Sequence, residues 1–174
     1  ALPALLAGGR ACAQDAFDLA RPALRLYGME SGLPSGVVYC FARDAGGRLW
    51  AGTVDGAAYF NGHVWVPVRM PAGSASQYVR AILTSRDGSL WFGTQDGGAW
   101  RLRRGRWTNL QGGKALPSSH VFSLAETQDE QGRLTLWVGT SDQGIVALAS
   151  ESRRTYGPAE GLPGGTVWRI REIH

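Results

Sequence analysis

Three copies of one five-residue word, Leu-Trp-x-Gly-Thr, constrain this chain more than any other feature. They are Leu49-Trp50-Ala51-Gly52-Thr53, Leu90-Trp91-Phe92-Gly93-Thr94 and Leu136-Trp137-Val138-Gly139-Thr140. Successive tryptophans lie 41 and 46 residues apart. A short word returning at that period marks a repeat architecture, in which no unit buries its apolar face alone and each packs on the next. An Asp follows two residues after each Thr, at Asp55, Asp96 and Asp142.

The sequence around each word alternates between apolar and polar residues and is punctuated by Gly, Asp and Asn, the pattern of short strands joined by turns. An inner strand is expected at 37–42, 79–84 and 121–126, and a further one at 167–170. Turns at Asp44-Ala45-Gly46-Gly47 and Asp87-Gly88 lead into the Trp strand. Val54-Asp55-Gly56 or Gln95-Asp96-Gly97 then turns the chain into a third strand at 57–60, 98–102 and 145–149. Asn61-Gly62 and Arg104-Gly105 favour tight hairpins into an outer strand holding Trp65, Trp107 or Tyr156.

A second repeated element marks the boundaries. Tyr27-Gly28 with Gly32-Leu33-Pro34 returns 129 residues later, in the same register, as Tyr156-Gly157 with Gly161-Leu162-Pro163. Ala115-Leu116-Pro117 opens the repeat between them, and only the second repeat lacks the element, with Gly73-Ser74-Ala75-Ser76 in its place. Leu suits a plug at the edge of a core, and Pro holds the residue before it extended.

Four antiparallel strands per repeat of about 40–50 residues describe the blade of a β-propeller, whereas solenoid coils are shorter and lack such hairpins. The fold class is therefore all-β, a partial propeller with blades at about 33–70, 76–111 and 116–157 and the start of another at 162–174. Trp50, Trp91 and Trp137 are expected to fill the space between blades, and Gly52, Gly93 and Gly139 to let the next blade approach. Residues 24–27 read as an orphan outer strand. If the period holds, the next Trp falls at about position 179–183, so another copy of the word is expected within about ten residues of His174.

Residues 1–13 resemble the tail of an export signal, an apolar run ending in Ala11-Cys12-Ala13, with cleavage leaving Gln14 and a linker at 14–23. Cys12 and Cys40 are the only cysteines, and with three scattered histidines they build no zinc site. Cys40 reads as a small buried hydrophobe. No cofactor or metal is expected. A net charge of +4 is too small to argue for nucleic acid. The basic run from Arg101 to Arg106 alternates with Trp100 and Leu102, as an outer strand with one wet face does.

The hairpins after Thr53, Thr94 and Thr140 should open on one face together with the entries to the inner strands. That face is expected to carry Asp55, Gln95, Asp96, His120, Asp142 and Gln143, which suit a sugar or another hydroxylated ligand. Aspartates at turns also cap their own backbone, and that is the ordinary role expected of Asp44, Asp87 and Asp129. No catalytic residue is assigned, because paired carboxylates at a set separation cannot be read from spacing.

The Gly-Leu-Pro-Ser-Gly-Val-Val boundary, the Asp-x-x-Gly-Arg-Leu-Trp turn and the Trp-x-Gly-Thr-x-Asp-Gly-Gly strand pair resemble the two-component regulator propeller repeat over residues 25–174. Neither the sialidase Asp box nor the WD repeat fits. The resemblance implies the periplasmic sensor region of a hybrid histidine kinase or diguanylate cyclase, with the membrane span and output domain downstream. It also implies a small-molecule or oligosaccharide ligand and a homodimeric receptor. An exported polysaccharide hydrolase or lyase and a protein-binding scaffold are the alternatives.

Overall fold

The computed structural model describes residues 24–110, 116–150 and 152–172. The leader, the linker, Cys12 and Ala115 lie outside them. Twelve strands form three antiparallel sheets of four, each meandering in chain order. The first sheet holds β1 (Val38–Arg43), β2 (Leu49–Thr53), β3 (Gly56–Phe60) and β4 (Trp65–Val68). The second holds β5 (Val79–Thr84), β6 (Leu90–Thr94), β7 (Ala99–Arg103) and β8 (Arg106–Asn109). The third holds β9 (Val121–Gln128), β10 (Leu134–Thr140), β11 (Ile145–Leu148) and β12 (Arg153–Tyr156). Inner strands β1, β5 and β9 lie side by side, and β2 and β6 each pack on the inner strand of the following sheet. This is the arrangement of propeller blades.

The period-two alternation of a strand decides which blade each residue of the repeated word meets. On β6, Leu90 and Phe92 face backward into one core with Trp50, Ala57, Met70 and Val79. Trp91 faces forward into the next core with Leu116, Val121, Leu136 and Val138. Trp50 meets Phe92 across the first interface at 5.6 Å, edge to face, a geometry that adds to the area the rings bury. The glycine lies on the forward face, where the next inner strand crosses. A Cβ on Gly52 would stand 2.8 Å from Val79 Cγ1, on Gly93 2.6 Å from Val121 Cγ1, and on Gly139 3.1 Å from Val167 Cγ1. Blade approach therefore leaves little room for a side chain at these positions, and Cys40 and Ser123 of the same sheets crowd Gly52 and Gly139 further.

The threonine closes the word by locking the hairpin that follows. Thr53, Thr94 and Thr140 are fully buried. Their hydroxyls donate to the carbonyls of Gly56, Gly98 and Gly144 at 2.8–2.9 Å. The same oxygens accept the amides of Asp55, Gly97 and Gln143.

The boundary leucines Leu33 and Leu116 are buried plugs, as expected. In the second repeat, which lacks the leucine, Met70 occupies the corresponding core and is 3% exposed. The Gly28 and Gly157 turns share one conformation, each followed by a single 3-10 turn and a left-handed glycine, Gly32 or Gly161.

Four expectations need correction. Residues 24–27 form no strand. No described strand lies beside them to pair with, and Tyr27 instead packs edge-on against Phe60 and Trp65 of the first blade. Residues 167–170 are not a strand either, because no second strand among the described residues completes a ladder. The Val167 amide nonetheless donates to the Thr140 carbonyl at 2.8 Å, which seats this segment beside the Trp strand of the third sheet. Trp50 and Trp91 are buried, but Trp137 is only half-buried and leans on Tyr156 of its own sheet. Cys40 is likewise half-buried and packs against the first interface core.

Candidate ligand face

One end of the blades gathers the hairpins that follow the repeated word and the starts of the inner strands. Adjacent blades are tied together here by backbone: the Gly98 amide donates to the Ser119 carbonyl at 2.8 Å, and the Gly144 amide to Gly165 at 2.7 Å. Loops braced in this way hold polar side chains in fixed relation.

Four of the six expected face residues belong to this braced region in chemically connected pairs. His120 Nε2 lies 2.8 Å from Asp96 Oδ1, joining the entry of the third blade to the hairpin of the second. Ser119 Oγ lies 3.2 Å from His120 Nδ1, so a hydroxyl, an imidazole and a carboxylate form a short row. Gln143 donates to Asp142 at 3.3 Å. A hydrogen bond from Ser118 holds the Asp142 carboxyl below the usual range; burial opposes this, and Gln143, Ser141 and the nearby His120 reinforce it. Asp142 is thus an anion facing solvent.

Gln95 turns the other way, toward the propeller axis, where its carbonyl oxygen accepts from Arg80 Nε. Asp55 lies apart, lining a small cleft with Pro34, Pro67, Val68 and Arg69. The structure therefore joins Asp96 with His120 and Asp142 with Gln143, and brings His120 within electrostatic reach of Asp142. It does not bring Asp55 to them.

Sequence reasoning missed the axial wall next to this face. Tyr39, Tyr78, Arg80, Phe122 and Trp168 cluster there around the Arg80 guanidinium. A signal was present, since each inner-strand Val is followed by a large side chain: Val38-Tyr39, Val79-Arg80, Val121-Phe122 and Val167-Trp168. At the opposite end a cleft of about 920 Å³ separates the second and third blades near Asp87, Glu126 and Arg133. Its charges are mostly spent within the fold. Arg101 pairs with Asp87, Arg133 with Asp129, and Glu126 accepts from Ser85 and the Arg86 amide. No group of His, Cys, Asp and Glu among the described residues is placed to hold a metal ion.

Residues 32–55 and 73–96, each running from a boundary through the Trp strand, match the model of the two component regulator propeller. Two segments of the chain are thus similar to that repeat. The third copy of the word, at Trp137, lies outside the matched segments and follows a longer hairpin.

Among solved structures, the chain is similar to the extracellular domain assigned to a hybrid two component system of B. thetaiotaomicron. The TM-score is 0.71 at 23% identity, over 83% of this chain and 22% of that one. It is also similar to an extracellular domain assigned to a one component system of the same organism, with a TM-score of 0.65 at 19% identity, over 80% of this chain and 19% of that one. Such identities establish a shared fold. The chain spans about a fifth of the length of those domains. No curated protein matches the sequence.

Proposed function

We propose that this chain is part of an extracytoplasmic, periplasmic ligand-sensing propeller of a membrane signalling receptor, and that its ligand is an oligosaccharide. The repeat is the observation that carries the reading, since its two matched copies are similar to those of a regulator propeller. Extracellular domains of signalling systems with the same fold support it. A face of fixed hydrogen-bonding groups, braced between blades, suits a hydroxyl-rich ligand better than it suits a flat protein surface. Asp96 and His120 present a charge-assisted pair, and Asp142 with Gln143 presents an acceptor beside a donor.

One observation favours the second reading, an exported hydrolase acting on polysaccharide, in the form of an esterase that removes acyl or methyl esters from it. The Ser119–His120–Asp96 row has the elements of an activated nucleophile. Serine, however, touches the imidazole of its own sequence neighbour, as a local brace would.

Calorimetric titration of neutral and acidic oligosaccharides into the full-length protein tests the proposal. Saturable binding of one class, weakened by about tenfold in His120→Ala, is the expected result. Release of acetate or methanol from esterified oligosaccharides, abolished in Ser119→Ala, would replace the sensor with the enzyme, and absence of any saccharide binding would reject the oligosaccharide.

A further inference from the structure

The axial wall is built by a device repeated in every blade. In each inner strand the pairing with the Trp strand skips one residue. Val38 and Cys40 pair with Thr53 and Gly52, leaving Tyr39 out of the ladder. Val79 and Ala81 pair with Thr94 and Gly93, leaving out Arg80. Val121 and Ser123 pair with Thr140 and Gly139, leaving out Phe122. A bulge of this kind re-aims the unpaired side chain and raises the local twist. Val167 meets Gly139 as Val79 meets Gly52 and Val121 meets Gly93, so Trp168 holds the same position on the fourth blade.

The three re-aimed side chains, Tyr39, Arg80 and Phe122, together with Trp168 in the corresponding position, supply three aromatic rings and one cation. Tyr78 joins them beside Tyr39, with ring centroids 4.9 Å apart. Arg80 Cζ sits 5.4, 4.8 and 4.5 Å from the rings of Tyr39, Tyr78 and Phe122. Phe122 is stacked on Trp168 at 4.7 Å. Tyr39, Arg80, Phe122 and Trp168 line an axial cleft of about 450 Å³ together with Ile82, Leu124, Ile170 and a second cation, Arg169.

Two features set this strip apart from packing. None of the five residues belongs to the cores that hold the blades together. Arg80 is half-buried and faces no carboxylate among the described residues. Its Nε is engaged by Gln95, while its two terminal nitrogens make no hydrogen bond to the described protein. Asp96, next to Gln95 in the chain, is occupied by His120. A guanidinium partly withdrawn from water among three rings suits two parallel hydrogen bonds to a carboxylate. Aromatic faces at the same level offer apolar platforms to a ring-shaped ligand.

The geometry points to a binding site for a carboxylate-bearing sugar, a uronic acid residue of an acidic oligosaccharide. Its carboxylate lies on Arg80, and a neighbouring sugar ring of the same oligosaccharide packs on the face of Trp168 turned away from Phe122. The inference rests on the sensor reading above and names the substrate class of that propeller.

The test uses the full-length protein and a panel of oligogalacturonates, oligoglucuronates and oligomannuronates, each paired with its methyl ester. The ester keeps the shape and removes the charge. At least one acid is expected to bind more tightly than its ester by about tenfold or more, the worth of a charge-assisted hydrogen-bond pair. Arg80→Gln is expected to erase that difference, and Trp168→Ala to weaken acid and ester alike. Circular dichroism verifies that both variants keep the strand signal. Should acids and esters bind alike, or should Arg80→Gln leave the preference intact, the acidic-sugar site is overturned while the sensor reading stands. If no acidic or neutral saccharide binds the unaltered protein, both fall together.

Discussion

Each residue of the repeated word has its own physical task. The Trp fills the forward interface, the Gly admits the next inner strand, and the Thr saturates the hairpin amide and carbonyl that burial would otherwise leave unpaired. Gly93 tests this most directly, because its missing side chain faces a Val121 methyl on the next blade rather than a flexible tip. Gly93→Ala is expected to destabilise by about 1–3 kcal/mol, the range for overpacking a filled core, read as a lowered denaturant midpoint with unchanged slope. A neutral or stabilising outcome would mean that the blades slide apart freely. These tasks are legible in the sequence because a word copied three times exposes its own constraints. Single positions are harder. Met70 replaces the boundary leucine from an unrelated place in its repeat, and nothing in the local pattern marks it. Asp55 follows the same spacing as Asp96 and Asp142 yet lines another cleft, since spacing along a strand does not record what the adjacent blade places beside it.

At the scale of elements, the hairpins between inner and Trp strands are organised by Asp44, Asp87 and Asp129. Asp44 accepts the amides of Gly46 and Arg48 and the indole of Trp50, and Asp129 repeats the pattern with Gln131 and Arg133. Asp87 accepts from the backbone and hydroxyl of Ser89 and pairs with Arg101 across the sheet. Burial works against ionisation of Asp87, but the hydrogen bonds from Ser89 and Ser85 and the charge of Arg101 outweigh it and lower its pKa to about 2. Because the folded value lies below the unfolded value of about 4, the stabilisation is present in full above pH 4. It drains away as the pH falls toward 2. Acid unfolding followed by tryptophan fluorescence should show this limb, and Asp87→Asn should flatten it. An unchanged acid limb in that variant would show that Asp87 is not held by its hairpin. Strand order and turn positions could be read from alternation and Gly/Asp punctuation. The bulges at Tyr39, Arg80 and Phe122 could not be read so simply, because a skipped pairing leaves the alternation nearly intact and shows only when two strands are set in register.

At the scale of the whole molecule, stability should accumulate interface by interface, since each blade meets mainly its neighbours. The three tryptophans of the word report on this, because all three face forward on equivalent strands and differ in what covers them. Trp50 is covered by Phe92 and Val79 of the second blade and is 3% exposed. Trp91 is covered by the third blade and is 9% exposed. Trp137 is held by Tyr156 and by a hydrogen bond from its indole to Thr127 at 2.8 Å, both within its own sheet, and it is half-buried. In a polypeptide of these 174 residues, Trp50→Ala and Trp91→Ala are each expected to cost about 3–5 kcal/mol, the range for truncating a buried aromatic. Trp137→Ala should cost roughly half as much, in proportion to the apolar area it still hides. Lengthening the polypeptide by one further copy of the repeat should raise the cost of Trp137→Ala toward that of the other two, because a new inner strand and its partner would close over the indole. Denaturant titrations of the three variants in the short and the extended polypeptides make the comparison. Equal costs for all three in the short form would show that the indoles serve their own sheets. The interfaces between blades would then have to be held by the aliphatic residues around them.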